Sequence, residues 1–149
     1  MMLRAAILLL LLLAPGAADA IPPPPRTEVQ DQAALDRLRR NGGVTLQWIS
    51  WDYRGQLRVE EKDGTVLLSG GQQERRGPGR LTIEGMVLRI DRTSFIFQGR
   101  IAILRAPGDR AECVREGRLN FRITGGRRYW RMQEMEACAG LTDYVDIYF

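Results

Sequence analysis

After Gly43 the apolar positions of this chain recur at every second residue, and most runs of alternation end in a turn signal. The clearest case surrounds Asp63-Gly64. Asp-Gly between two alternating segments meets the demand of a type I′ turn, which needs positive φ at both central residues. Pairing across that turn sets Glu61 opposite Val66, Val59 opposite Leu68 and Leu57 opposite Gly70. One mainly apolar face results, with Arg58, Glu60, Lys62 and Ser69 on the other.

The same pattern extends in both directions. Val44–Trp51 precedes an Asp52–Gly55 turn, and Gln72–Arg80 reads as a loop around Gly77-Pro78-Gly79. Leu81–Ile90 alternates but changes phase at Gly85, where a bulge or sharp corner is expected. Further strands are expected at Phe95–Leu104, Leu119–Thr124, Tyr129–Met135 and Asp143–Phe149. Short loops make successive strands antiparallel neighbours. About eight strands in such a meander close into a small barrel of lipocalin-like shape. A two-layer sandwich or an open sheet would use the same strands.

Before Gly43 the chain reads differently. Thr27–Arg40 carries a helical pattern, with capping-box spacing at Thr27 and Gln30 and a stop at Asn41-Gly42-Gly43. Ile21–Arg26, with four consecutive prolines, favours an extended spacer. Residues 1–20 have the layout of a secretory signal peptide: Arg4, a leucine-rich core too short to span a bilayer, and an Ala18-Asp19-Ala20 cleavage site. The mature chain is then expected to start at Ile21, in the periplasm or outside the cell, as one β domain over 27–149. No transmembrane segment is expected after cleavage.

Export changes how the two cysteines read. Cys113 and Cys138, the only pair, are expected to form a disulfide in an oxidising compartment. The charge of +4 survives loss of the leader, since Arg4 and Asp19 leave together.

Histidine is absent, which removes Ser-His and Cys-His catalysis and every histidine metal site. Carboxylates remain as general acids and bases, with Asp52, Glu84, Asp91, Asp143 and Asp146 as candidates for a glycan hydrolase pair. Nothing selects two of them. No calcium loop is present, and no cofactor or metal is expected.

The remaining candidates are binding residues. On the final strand Val145, Ile147 and Phe149 take one face, while Tyr144, Asp146 and Tyr148 take the other. The second set would suit a ligand cavity, or would be an ordinary outer face. Trp48 and Trp51 have opposite parity in an extended strand, so one of them belongs at a rim or surface. Arg127, Arg128 and Arg131 interleave with Tyr129 and Trp130, yet a strand divides these cations between two faces. Nucleic acid is therefore not expected as a partner.

Arg128-Tyr129-Trp130-Arg131 and the ending Tyr144–Phe149 resemble small exported bacterial proteins without an assigned function. The resemblance covers the last third of the chain and implies no activity. From the residues themselves, the expectation is a non-catalytic exported binding module. A small apolar or amphipathic ligand would sit inside the barrel against Trp48, Trp51, Tyr144, Asp146 and Tyr148. The alternative is an envelope structural or inhibitor protein acting through the loops Gln72–Arg80 and Ala106–Glu112.

Overall fold

The computed structural model describes residues 21–149 apart from Pro24 and Asp109. The signal peptide expected at 1–20 lies outside the described residues. No helix among them is long and apolar enough to cross a membrane.

The elements follow the chain as β1 (Glu28–Val29), α1 (Gln32–Arg39), β2 (Val44–Leu46), β3 (Gln56–Lys62), β4 (Thr65–Gln73), β5 (Arg80–Ile90), β6 (Ser94–Leu104), β7 (Cys113–Arg122), β8 (Tyr129–Met132) and β9 (Val145–Tyr148). Eight strands make a nearly closed barrel in the order β2-β9-β8-β7-β6-β5-β4-β3, and β1 adds to β5 in parallel. The β3–β4 hairpin has the expected register at Glu61/Val66, Val59/Leu68 and Leu57/Gly70. Asp63 and Gly64 take φ of 52° and 81°, as the turn requires.

One antiparallel bridge, Val44–Gly55, closes the ring between β2 and β3, with N–H···O distances of 3.0 and 2.8 Å. Below it a side chain replaces the ladder. Buried Gln72 of β4 accepts from the Leu46 N–H (2.7 Å) and donates to the carbonyls of Ser50 (2.9 Å) and Tyr53 (2.8 Å). Its amide satisfies groups that an interrupted ladder would leave unpaired.

The interior is filled by the protein's own side chains. Phe95 stacks on Phe121 at 4.7 Å between centroids, Phe97 meets Phe121 edge-on, and Trp130 meets Phe95 edge-on. Met132, Val145, Ile147 and the inward-facing aliphatics of β4–β6, such as Leu68, Ile83 and Ile101, surround them, all buried. Truncating one such ring to alanine typically costs about 3–5 kcal/mol. Ala34, Leu35 and Leu38 of α1 seal one end of the barrel, while Cys113–Cys138 (Cα–Cα 5.9 Å) ties the start of β7 to the segment between β8 and β9 at the other.

Several sequence expectations need correction. The first strand stops at Leu46, because both Ile49 and Ser50 N–H groups turn back onto the Leu46 carbonyl. The parity argument for Trp48 and Trp51 therefore fails. Helix α1 starts later than expected: Asp31 caps it by accepting from the Ala34 N–H at 2.7 Å. The Thr27 hydroxyl instead links Val87 and Val66.

The phase change in β5 falls at a bulge between Val87 and Arg89 rather than at Gly85. Gly85 stays in phase, paired with Gly99, because the Phe97 ring occupies the space a side chain would need. A Cβ on either glycine would lie 2.6 or 2.7 Å from Phe97 Cζ. The seventh strand begins at Cys113 instead of Leu119, and the eighth ends at Met132.

Candidate functional site

On the outside of β2, β9 and β8 the cross-strand register sets Thr45 beside Asp146 and Asp146 beside Arg131. The next row sets Tyr148 beside Tyr129. The alternation expected for the last strand is present: Val145 and Ile147 point into the core, and Tyr144, Asp146 and Tyr148 point out. Of the two placements open to the second set, a cavity or an outer face, the outer face is the one found, because Phe95, Phe97, Phe121 and Trp130 occupy the lumen.

Asp146 is the polar centre of that face. It is 1% exposed although it lies on the outside of the sheet, set between Thr45 and Arg131 across the strands and between Tyr144 and Tyr148 along its own face. Its carboxylate accepts from Arg131 Nε and Nη2, each at 2.7 Å. That bond holds the Arg131 guanidinium above its ordinary range, against the opposing effect of burial. The guanidinium also lies 4.0 Å from the Tyr144 ring centroid and 5.2 Å from that of Tyr129. Arg54 stacks on Tyr148 at 4.0 Å, and Tyr129 packs on Tyr148 at 5.3 Å. Cation–π contacts of this kind fix ring orientation as well as adding about 0.5–1 kcal/mol each at exposed sites.

Together Trp51, Arg127, Tyr129, Arg131, Tyr144, Asp146 and Tyr148 line a shallow depression of about 360 Å³. Four of the five expected ligand residues meet there. Trp51 is 59% exposed at its rim. Trp48 belongs elsewhere: its indole Nε1 donates to Asp143 at 3.0 Å, in the cluster beside the disulfide. Arg131 and Tyr129 could have been added from the sequence, since both share one parity of a strand that runs beside the last. Thr45 and Arg54 carry no such signal.

The Asp143 cluster is structural. Its carboxylate, fully buried, accepts from Trp48, from Arg110 at 3.1 Å and from Arg115 at 2.9 Å. Arg115 also donates to the carbonyls of Glu134 and Met135, pinning the segment that carries Cys138. Asp91 is occupied in its own turn by Thr93 and Ser94. Asp143, Asp146 and Asp91 are therefore engaged as hydrogen-bond acceptors, and only Asp52 and Glu84 of the five candidate carboxylates are exposed. Among the described residues no group of three or more His, Cys, Asp or Glu is placed to hold a metal ion.

Fold and site together define a small disulfide-bonded β barrel with a packed interior and an aromatic–arginine patch on its outer wall. The chain belongs to the PM1083 family, whose model matches residues 26–149. It is 38% identical over 106 residues to the Uncharacterized protein PM1083 of Pasteurella multocida (strain Pm70), covering 70% of this chain and 68% of that one. No solved structure matches it significantly.

Proposed function

We propose that this protein is a non-catalytic recognition module, exported and matured at Ile21, that binds an envelope polypeptide through the outer face of β2, β9 and β8. The observation that carries the reading is the exposed Trp51 beside Tyr129, Tyr144 and Tyr148, with Arg127 and Arg131 among them. Tryptophan, tyrosine and arginine are the residues that dominate binding energy at protein interfaces. The rings are already oriented by the Asp146–Arg131 pair and by Arg54, so little side-chain freedom is lost on association. The filled barrel supports recognition at the surface rather than carriage of a ligand within it.

The test places a photo-crosslinking phenylalanine analogue at Trp51 in the native host. A discrete adduct with one polypeptide is expected, lost when Tyr144 is changed to alanine and kept when the exposed Arg58 is changed. Native mass spectrometry of the purified protein provides the counter-test. A retained small molecule, displaced by no change on the outer face, would overturn this reading in favour of an internal ligand.

A further inference from the structure

We propose a second binding site, at the end of the barrel sealed by α1, that takes a phosphate oxyanion between Arg37, Arg40 and Arg128. These three side chains and the ring of Phe149 line a depression of about 460 Å³. Arg37 and Arg40 come from the end of α1, Arg128 from the turn before β8, and Phe149 follows β9. Two segments distant in sequence therefore bring three cations to one concavity, and a third adds the Phe149 ring.

None of the three is spent on an ion pair among the described residues. The arginines in such pairs are Arg39, Arg58, Arg100, Arg110, Arg115 and Arg131. Asp36, the carboxylate of the same helix turn, is taken by Arg39 at 2.6 Å. The last carbonyls of α1 do not consume them either: the Asp36 and Leu38 carbonyls accept from the backbone N–H groups of Arg40 and Asn41 and from the Asn41 amide. The lining side chains thus bring three positive charges and no carboxylate.

Arg37 is held ready. Its guanidinium lies 5.0 Å from the Phe149 ring centroid and 5.8 Å from that of Trp130, and Nη2 donates to the Arg92 carbonyl at 2.7 Å. Its Nε is buried with no partner among the described residues, an unused donor in a fixed group. Guanidinium forks match the oxygens of phosphate, and three like charges lining one hollow favour an anion between them. The Phe149 ring gives an apolar wall suited to the organic part of an ester. The oxyanion could be a free phosphate or the headgroup of a phospholipid.

Two measurements test the site. In the first, inorganic phosphate is titrated into the full mature protein at low salt, following the arginine Nε resonances by NMR. Saturable shifts are expected at Arg37, Arg40 and Arg128, with binding weakened about tenfold by Arg40→Gln or Arg128→Gln. Arg58→Gln, which removes an exposed arginine elsewhere, should leave it within about twofold. In the second, vesicles of phosphatidylcholine with and without phosphatidylglycerol are floated with the same proteins. Co-flotation that needs phosphatidylglycerol, Arg40 and Arg128 assigns the site to a headgroup; phosphate shifts without flotation assign it to a free oxyanion. Absence of both, or equal weakening by Arg58→Gln, overturns the proposal.

Discussion

Asp146 and Arg131 sit directly opposite each other on β9 and β8, joined by two parallel hydrogen bonds of 2.7 Å, with the carboxylate 1% exposed. A buried carboxylate tolerates the loss of its cation badly, because its desolvation is then uncompensated. Arg131→Met should lower unfolding free energy by about 3 kcal/mol in denaturant titration. Adding Asp146→Leu to that variant should recover much of the loss. If the double variant is as weak as the single one, the pair is not what orders this face.

Gln72 is expected to be a sensitive polar residue of the barrel wall. Gln72→Leu keeps its approximate volume but leaves the Leu46 N–H and the Ser50 and Tyr53 carbonyls without their partner. The cost should be about 2–4 kcal/mol. Hydrogen exchange should show where it falls: the amides of Val44, Leu46 and Gly55 should speed up, while those at the centre of β5 and β6 should follow only the global loss.

Gly85 and Gly99 form a notch for the Phe97 ring. Gly85→Ala should destabilise by about 1–3 kcal/mol or more, since the new methyl meets both Phe97 Cζ at 2.6 Å and the Gln98 carbonyl oxygen at 2.4 Å. Phe97→Leu should relieve only part of it, because the backbone contact persists. Full rescue by Phe97→Leu in a thermal melt would contradict the notch.

Asp91 gives a signed pH dependence. Burial raises its pKa, but the Ser94 hydroxyl and the Thr93 and Ser94 N–H groups outweigh that and hold it below the ordinary carboxylate value. Its contribution is therefore fully present above the unfolded value of about 3.9 and lost as pH falls through the folded one. Asp91→Asn should cost about 1 kcal/mol at pH 7. The gap between the two proteins should shrink toward pH 3; a gap that widens on acidification would reverse the sign argued here.

The parts of this fold legible in the sequence are those specified locally. Asp63-Gly64 fixed its hairpin register without help, and the alternation of Tyr144, Asp146 and Tyr148 told which residues share a face. Which side of the wall that face lay on was not legible, because it depends on rings from β6, β7 and β8 filling the lumen. The end of the first strand at Leu46 was hidden for a similar reason. Gln72, 26 residues away, takes over its ladder only once the ring closes. Gly85 is a special position because of a ring on the neighbouring strand, while the bend of its own strand lies beyond it at Val87 and Arg89.

The last strand carries two messages on alternate letters. Val145 and Ile147 face the core, Tyr144 and Tyr148 face outward, and Asp146 between them is spent on Arg131. Because the two sets interleave with a period of two, Tyr144 and Tyr148 can be rewritten while Val145, Ile147 and the Asp146–Arg131 pair keep the wall in place. The same interleaving forbids a shift of reading frame, since a one-residue slip of β9 would trade every letter between the two faces at once.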